Sequence, residues 1–489
     1  MQVFILIFMR KLLISFLLVI LCFGAGAHSG KARFHVIIDT DGAADDLRAI
    51  CMMLGNREIE VLAISTSEGA LTPQDAAIKV TSLLFDFHHE GIPVGTGRSL
   101  DIKPPLWRKQ SENISWGDTS GITVSQIPAE DLIINTLESE DEKVVFVCLG
   151  SLTNLNDVLA KKPQLKDCID KVIWYNNSQK SLKGANYEAD KKSADNVLKS
   201  GVSISIVSGN NELPVVINKN YVETVSCVEN IYARKIVSTH NNGVLEPVVI
   251  SEHMKAWDDM TVVYLFTPEL FTSIDYTPTV TFNMIANEQG IEKAKEVIIS
   301  VLTGKPDSES RVFYGFPESP GLFAADVSPV MGSIIAKHGR SEWRAGVLAN
   351  ELHGHLGIYA IVGVKMGIRA REYFNIGVDD IFTVSYAGLR PPVSCMNDGL
   401  QVSTGATIGH GLINVAENEP VRPEASFSFK NKTIWLKLKP MYAQQIREDV
   451  EEGIRRYGNL TEEYWAHIRA LAIKYWHDFD RHDIFEMSH

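Results

Sequence analysis

The sequence contains few cysteines. Only six occur among 489 residues, and one of them lies in the first 27 residues. The other five are odd in number and widely scattered, so they do not indicate the disulfide framework of a small secreted protein. We expect them to be mostly buried thiols. They are Cys51, Cys148, Cys168, Cys227 and Cys395.

Positive charge is also scarce. The chain has 47 Lys and Arg against 60 Asp and Glu, and its formal net charge at pH 7 is −13. Binding to nucleic acid requires a cationic surface that releases counterions from phosphates, so we expect a small-molecule ligand and no nucleic acid.

The content of 45% hydrophobic and 22% charged residues is ordinary for a globular protein. The length exceeds what one hydrophobic core usually organises, which predicts two domains.

Long hydrophobic runs are confined to the N-terminus. Arg10 and Lys11 precede the apolar run 12–23, which ends in the small residues 25–27. This layout is typical of a secretory signal with an Ala-x-Ala cleavage site. Residues 1–27 are therefore predicted to be a signal peptide, and the mature protein to be periplasmic or secreted without a membrane attachment. The alternative is an uncleaved membrane anchor.

From Phe34 onward, short apolar runs alternate with amphipathic stretches. The pattern predicts βαβ units, so residues 33–303 should form an α/β domain, a mainly parallel sheet with helices on both faces. Polar and Pro/Gly-containing residues then predict a linker over 304–338, followed by a smaller α+β domain with C-terminal helices over 339–489. The apolar runs are 35–38, 61–65, 144–149, 172–175 and 202–207.

Four carboxylates lie within eight residues, directly after the first predicted strand: Asp39, Asp41, Asp45 and Asp46. They repel one another unless a cation collects them, and the carboxyl end of a strand is where open α/β sheets bind ligands. Oxygen donors without a nearby His or Cys favour Ca²⁺ or Mg²⁺, and several carboxylates with a carbonyl favour Ca²⁺. The alternative is a solvated acidic turn that caps the next helix.

This loop and three later motifs resemble the inosine-uridine nucleoside hydrolase family, whose signature is Asp-x-Asp-x-x-x-Asp-Asp after the first strand. Residues 150–154 are similar to its Gly-Pro-Leu-Thr-Asn turn, and Asn186 with Asp190 to its Asn-x-x-x-Asp segment. Trp257-Asp258 is similar to the pair that precedes its apolar helix. The resemblance covers about residues 33–303. It implies an N-glycosyl hydrolase acting on a ribosyl substrate, and we expect a homo-oligomer.

The resemblance also implies roles for individual residues. Asp45 would be the general base that takes a proton from a metal-bound water. That water would attack the anomeric carbon through an oxocarbenium-like state. The implied Ca²⁺ ligands are the carboxylates of Asp41, Asp46 and Asp258 and the backbone carbonyl of Thr153, with Asp39 behind them, and the implied sugar ligands are Asn186 with Asn176 or Asn177.

Two tryptophans, Trp116 and Trp257, stand where many members of the family carry His. Their indole faces would sandwich a flat purine and favour its protonated leaving form. The alternative for each is a tryptophan that only fills the core. Together they favour a purine ribonucleoside.

Two positions depart from the family pattern. Ala70 stands where the family places Asn or Asp against the attacking water, and Gly184 replaces a Glu that grips the sugar. Glu68 or Glu188 would compensate for the lost contacts. The departures keep a second hypothesis open, a protein that binds or senses ribosyl ligands with reduced catalysis.

A His-x-His pair, His353 and His355, precedes a predicted helix, and Cys395 with Asp398 follows in a later segment. These residue types suggest a borderline metal such as Zn²⁺; the alternative is buried, hydrogen-bonded histidines. Residues 342–414 resemble the E-like family of formylmethanofuran dehydrogenase proteins, in which many members have Cys at the place of Gly357. The implied ligands are His355 and Cys395, with His353 behind them and Asp398 as their support or an acid/base. A third hypothesis is metal-dependent chemistry centred on this domain.

Overall fold

A mainly parallel sheet of eight strands organises the N-terminal region in the computed structural model. Its strands are Phe34–Thr40 (β1), Ile59–Thr66 (β2), Val94–Thr96 (β3), Val144–Cys148 (β4), Ile169–Tyr175 (β5), Ile204–Val207 (β6), Thr272–Thr277 (β7) and Val280–Met284 (β8). Their order is β3-β2-β1-β4-β5-β6-β8-β7, and every pair is parallel except β7 with β8. The predicted α/β fold class is confirmed.

The structure describes residues 32–178, 181–304, 312, 315–417 and 419–489. The predicted signal peptide 1–27 and part of the predicted linker lie outside the described residues. Of the helices within the described part, none is long and apolar enough to cross a membrane.

Helices cover both faces of the sheet. Along β1, Val36 and Ile38 point into a core shared with the helices on one face, and Ile37 points into the core on the other, as the two-residue period of a strand requires. The helices are Ala44–Gly55 (α1), Pro73–Asp86 (α2), Arg108–Asn113 (α3), Ala129–Ser139 (α4), Thr153–Lys161 (α5), Ala185–Ala189 (α6), Lys191–Leu198 (α7), Lys219–Ser226 (α8), Ile231–His240 (α9), Glu246–Ile250 (α10), Asp259–Phe266 (α11) and Glu288–Thr303 (α12), with 3₁₀ turns at Pro163–Cys168 and Pro268–Leu270.

The strand order reverses between β1 and β4. The chain leaves β1 for β2 and β3 on one side of the sheet and then returns to β4 on the other side. The carboxyl ends of β1 and β4 therefore flank a crevice of the kind in which open α/β sheets bind ligands. The acidic loop 39–46 runs from the end of β1 into the first turn of α1, and the turn 150–154 leads from β4 into α5. The amide of Leu149 donates to the carbonyl of Asp39 at 2.8 Å and joins the two ends.

The C-terminal region is a smaller α+β assembly around a second sheet, as predicted. Its elements are Ser328–His353 (α13), Ile358–Phe374 (α14), Phe382–Ser385 (β9), Met396–Thr404 (α15), Ile413–Val415 (β10), Glu424–Phe429 (β11), Lys432–Leu438 (β12), Pro440–Tyr457 (α16), Glu462–Asp478 (α17) and Phe485–Ser488 (β13), with 3₁₀ turns at Pro320–Leu322 and Val393–Cys395. The sheet order is β10-β9-β11-β12-β13, with only β10 and β9 parallel.

The C-terminal region begins earlier than the predicted boundary at residue 339. Helix α13 starts at Ser328, inside the predicted linker 304–338, and is broken at Gly339, whose φ is 84°. Val327, Met331 and Ile334 recur at helical spacing and belong to the second hydrophobic core. The correction follows from this apolar stripe, because a linker has no face to bury.

The two regions meet at the C-terminal ends of α1 and α14. Asn375, the left-handed residue after α14, donates from Nδ2 to the carbonyl of Leu54 at 3.2 Å. His89 donates from Nδ1 to the carbonyl of Glu372 and accepts at Nε2 from the hydroxyl of Tyr232, both at 2.7 Å. Burial lowers the pKa of His89 to about 4, so the imidazole is neutral in this contact. The C-terminal region thus holds α1 at the end opposite the acidic loop.

Candidate active site

An acidic cluster lies at the crevice between β1 and β4. Carboxylate oxygens of Asp45, Asp46 and Asp258 lie within 4.8 Å of one another. Asp45 and Asp46 come from the first turn of α1, and Asp258 directly precedes α11. The structure therefore brings together residues that are more than 200 positions apart in the sequence.

A second acidic group among the described residues consists of His35, Glu60 and Glu140. Here Lys430, in the turn between β11 and β12, places its Nζ 2.5 Å from both glutamates. His35 Nδ1 lies 3.1 Å from Glu140. This group is an ion-pair contact between the two regions, since a protein cation already neutralises it.

Hydrogen bonds within the loop fix the orientation of Asp46. Its Oδ1 accepts from Thr40 Oγ1 at 2.7 Å and from the amide of Asp41 at 3.1 Å. The loop turns at Gly42, where φ is 78° and a Cβ would lie 2.9 Å from Leu71, so only glycine fits. The sequence thereby folds the first turn of α1 back onto the end of β1.

Asp39 lies behind the cluster. Its Oδ2 accepts from Ser65 Oγ and from Asn154 Nδ2, both at 2.6 Å. These two donors come from β2 and from the turn after β4, so Asp39 ties three segments of the site together. The contacts agree with the supporting role that the resemblance implied.

Burial makes this cluster costly to ionise. It raises the pKa of Asp39 to about 6, and together with repulsion from Asp45 raises the pKa of Asp41 to about 7. The same causes raise the pKa of Asp46 and Asp258 well above the usual range. The Oδ1 atoms of Asp41 and Asp258 are buried and have no hydrogen-bond partner in the described part of the chain. A hard divalent cation fits these unpartnered oxygens, because it would neutralise the repulsion and supply the missing partner.

Thr153, whose backbone carbonyl is an implied ligand, is the first residue of α5. Its Oγ1 donates to Asp190 Oδ2 at 2.9 Å. Asp190 also accepts from Ser193 Oγ at 2.7 Å and pairs with Arg98 at 3.3 Å. The Asp of the Asn-x-x-x-Asp segment therefore positions the residue that begins α5.

Of the three asparagines predicted to hold the sugar, Asn176 and Asn177 directly follow β5, and Asn186 lies in α6. Asn186 donates from Nδ2 to the carbonyls of Leu149 and Tyr175, at 2.6 and 2.9 Å. The Asn176 amide is engaged within its own loop, where Nδ2 donates to Ser178 and Oδ1 accepts from the amide of Tyr187. The Oδ1 of Asn177 is buried without a partner in the described part of the chain, so Asn177 is better placed than Asn176 to meet a ligand.

The two predicted tryptophans occupy different environments. Trp116 is 1% exposed in the hydrophobic core, with its ring edge-on to His240. Trp257 is 39% exposed and lines a cavity with residues 208–211. The predicted sandwich is not formed in this conformation, because the apolar residues around Trp116 bury both of its faces. A ligand at this cavity would meet Trp257 alone.

The positions that depart from the family pattern are closely packed. A Cβ at Gly69 would lie 2.0 Å from Asp41 Oδ2, and the Ala70 side chain is buried beside it. Gly184 has φ 115°, and a Cβ there would lie 2.8 Å from Asn176 Oδ1. A long side chain at Gly184 would therefore require the neighbouring loop to move.

Of the two glutamates predicted to compensate, only Glu68 is buried. Arg108 Nη2 donates to Glu68 Oε1 at 2.6 Å and to the carbonyl of Gly69 at 2.7 Å. Glu188 is exposed and pairs with Lys191 at 2.8 Å. Arg108 was missed in the sequence because its partners lie about 40 residues earlier, and no local pattern marks the contact.

The predicted second metal site is only partly assembled. His353 Nδ1 lies 2.7 Å from Asp398 Oδ2, and the rings of His353 and His355 are 4.3 Å apart. Neither ligand cluster found among the described residues includes His353, His355, Cys395 or Asp398. A Cβ at Gly357 would lie 2.9 Å from His353 Cδ2 and 3.0 Å from His353 Nε2, so a side chain there would require the imidazole to shift slightly. His353, His355, Cys395 and Asp398 therefore do not form a compact ligand cluster in this structure, and the zinc site stays a prediction.

Comparison with protein families agrees with the geometry. The family model described as inosine-uridine preferring nucleoside hydrolase matches residues 36–308, more than half of the chain. The chain belongs to this nucleoside hydrolase family. The predicted N-glycosyl hydrolase is thereby confirmed. A second family model, FmdE, of the molybdenum formylmethanofuran dehydrogenase operon, matches residues 352–476, so the predicted fusion is confirmed as well.

Individual relatives are distant. The pyrimidine-specific ribonucleoside hydrolase RihA of Shewanella oneidensis is 23% identical over 304 residues, which are 57% of this chain and 91% of that protein. RihA of Photobacterium profundum is 26% identical over 260 residues, which are 49% of this chain and 82% of that protein. The solved purine-preferring ribonucleoside hydrolase from Gardnerella vaginalis has 17% identity and a TM-score of 0.46 over 55% of this chain and 99% of its own. These names give different base preferences.

The raised pKa values predict a pH-dependent response of this nucleoside hydrolase to Ca²⁺. The pKa of Asp41 rises from 3.8 to about 7 on folding, so the metal-free folded protein binds more protons than the unfolded chain between these values. Its stability should fall as the pH rises through this window, and bound Ca²⁺ should offset the loss. We expect the increase in unfolding temperature on replacing EDTA by Ca²⁺ to be larger at pH 8 than at pH 5. Equal increases in unfolding temperature at the two pH values would contradict this prediction. A full Ca²⁺-dependent increase in the Asp46→Asn variant would contradict it as well.

Gly357 lies directly beside the His353 imidazole, so a thiolate at this position is predicted to add a zinc ligand next to Nε2. We expect Gly357→Cys to bind Zn²⁺ at least about tenfold more tightly than the unaltered protein, because the thiolate adds a ligand facing His353 Nε2. Isothermal titration with Zn²⁺ measures the difference. Gly357→Ala is the matched control, since it adds the same Cβ without the sulfur. Equal affinity of the Cys and Ala variants would refute the geometry.

Proposed function

We propose that the N-terminal region hydrolyses the N-glycosidic bond of a ribonucleoside or related ribosyl compound, with Ca²⁺ as its metal. The observation that carries the proposal is the buried carboxylate cluster at the crevice between β1 and β4, where the Oδ1 atoms of Asp41 and Asp258 have no partner among the described residues. Asp41, Asp46, Asp258 and the carbonyl of Thr153 would hold the ion. When bound, Ca²⁺ supplies a Lewis acid that makes a water more acidic and orients ribose hydroxyls.

Asp45 is the general base in this proposal. Burial raises its pKa, whereas the positive charge of Arg48 and a hydrogen bond with Asp258 lower it. That bond acts in the opposite sense on Asp258 and raises its pKa further. Of this pair, Asp45 is therefore the one that loses its proton first and can accept another from the attacking water.

The leaving base would meet Trp257. Its indole is exposed at the cavity lined by residues 208–211, and Trp257 directly precedes Asp258 in the sequence. Stacking on one indole face stabilises a flat, partly protonated purine more than a smaller pyrimidine. The site thus favours a purine, with Trp116 supporting the core.

Residues 1–27 carry the further proposal that the enzyme is exported. A periplasmic or secreted enzyme of this kind would release bases from ribosyl compounds outside the cytoplasm, for nutrient salvage. The substrate would be a small molecule, in keeping with the negative net charge.

Removal of the general base, Asp45, should strongly reduce turnover. We expect Asp45→Ala to lower kcat by about 100-fold or more, the usual contribution of a positioned base, with ligand binding retained. Release of reducing sugar from inosine, guanosine and uridine in the presence of Ca²⁺ measures it. Glu292→Gln is a matched control, because Glu292 is an exposed carboxylate paired with Lys295. Ligand binding by the unaltered protein without turnover of the whole panel would favour the binding or sensing hypothesis.

Trp257 should set the preference for the base. We expect Trp257→Leu to lower kcat/KM for inosine at least about fivefold more than for uridine, because stacking on an aromatic ring contributes about 1–3 kcal/mol per base. Steady-state kinetics on both substrates measure the ratio. Trp465→Leu, which alters a similarly exposed tryptophan in the C-terminal region, is the control. An unchanged ratio would remove Trp257 from base recognition.

A further inference from the structure

A completely buried ion pair lies beside the acidic cluster. Arg48 on α1 and Asp259 at the start of α11 are both 0% exposed. Arg48 Nε donates to Asp259 Oδ1 at 2.7 Å, and Nη2 donates to Oδ2 at 2.6 Å. This two-pronged geometry fixes direction as well as distance, since the planar guanidinium matches the carboxylate.

The remaining donors of the guanidinium are also used. Nη2 donates to the carbonyl of Lys255 at 3.0 Å, and Nη1 contacts Met254 Sδ at 3.6 Å and His240 Nε2 at 3.2 Å. His240 donates from Nδ1 to the carbonyl of Ile236 at 2.7 Å, which leaves Nε2 as the acceptor. Burial lowers the pKa of His240 to about 3 and keeps it neutral. Arg48 therefore joins α1, α9 and the segment 254–259.

The partners of Arg48 flank the residues of the active site. Arg48 follows Asp46 by two positions, and Asp259 is the next residue after Asp258. Met254 and Lys255 directly precede Ala256 and Trp257. The two halves of the cluster come from distant parts of the sequence and repel each other, so their separation needs an attractive contact close by.

We propose that Arg48 and Asp259 are positioning residues that hold Asp45 and Asp46 against Asp258 at the spacing a divalent cation requires, and that set Trp257 beside it. The inference rests on the proposed function for the identity of the ion and the reaction. It adds two residues to the machinery of the site, neither of which belongs to the ligand set implied by the family resemblance.

General stabilisation of the core is the alternative role for the pair. Replacing both members of a buried ion pair by apolar residues of similar volume is often neutral or stabilising, whereas removing one member leaves a buried charge unpaired. Stability alone would therefore not require the pair. The two roles predict different behaviour for single and double variants.

The test compares Arg48→Met, Arg48→Lys and the double variant Arg48→Met/Asp259→Leu with the unaltered protein. Unfolding temperature in EDTA reports stability, and isothermal titration reports the Kd for Ca²⁺. We expect Arg48→Met to unfold at a markedly lower temperature and the double variant to recover most of that loss. The double variant should still bind Ca²⁺ roughly 10- to 100-fold more weakly, the usual effect of removing a group that orients metal ligands. Arg48→Lys should bind Ca²⁺ with an affinity between those of the unaltered protein and the double variant, because lysine keeps the positive charge but lacks the planar, two-pronged guanidinium.

Hydrolysis gives a second readout. At low Ca²⁺ the double variant should lose kcat/KM by the same factor as its Ca²⁺ affinity, and it should regain activity as Ca²⁺ is raised. Lys365→Met is the control for destabilisation alone: it removes a completely buried cation in the C-terminal region and leaves Glu342 paired with Arg481. It should lower the unfolding temperature and leave the Kd for Ca²⁺ unchanged.

Native Ca²⁺ affinity in the double variant would overturn the proposal and assign the pair to stability alone. An equal loss of affinity in Lys365→Met would overturn it as well. If the unaltered protein binds Ca²⁺ but hydrolyses no ribosyl compound, the proposed reaction fails, while the affinities still decide the role of Arg48. If the unaltered protein binds no Ca²⁺, both proposals are wrong.

Discussion

Repulsion among buried carboxylates is the constraint around which the N-terminal region is arranged. Asp41, Asp46 and Asp258 sit where burial and mutual repulsion strongly favour protonation, yet the chain does not disperse them. Hydrogen bonds from Thr40 and from the Asp41 amide orient Asp46, and the pair of Arg48 with Asp259 attracts the two halves from behind. These buried contacts hold the carboxylates together and favour a cation site over a solvated acidic turn, which would need none of them.

The departures from the family pattern become intelligible at this site. Beside Asp41 the backbone is so close that Gly69 admits no Cβ, and Gly184 faces the amide oxygen of Asn176 in the same way. Contacts that a longer side chain would make to water or sugar are therefore absent, while the carboxylates that would bind the ion are retained. Under the proposed function, the site keeps the carboxylates that would bind the ion and lacks one contact to the sugar and one to the attacking water. In this proposal, Trp257 and the buried Oδ1 of Asn177 are the groups that remain available to contact the ligand.

What the sequence could predict depends on how locally each feature is encoded. Apolar runs such as 144–149 and 172–175 specify buried strands by themselves, and the spacing of Asp39 to Asp46 marks a cation site within one turn. Asp258 could be placed only through the family resemblance. Two ion pairs, Arg48 with Asp259 and Arg108 with Glu68, join positions that are far apart in the sequence. The sequence does not distinguish a buried arginine from an exposed one. Trp116 shows the converse: a suitable residue type at a suitable spacing is buried in the core, because packing decides which side chains converge.

The contact of the C-terminal region with α1 lies far from the acidic cluster. Helices α1 and α14 meet at their C-terminal ends, through Asn375 and Leu54, whereas Asp45 and His355 lie at or just before the N-terminal ends. At 1.5 Å per residue, α1 places about 18 Å between that contact and the acidic loop, and α14 about 26 Å between it and His355. The C-terminal region therefore contributes no side chain to the carboxylate cluster through this contact. It contacts the far end of α1 through Asn375, next to His89 and Tyr232 of the N-terminal region.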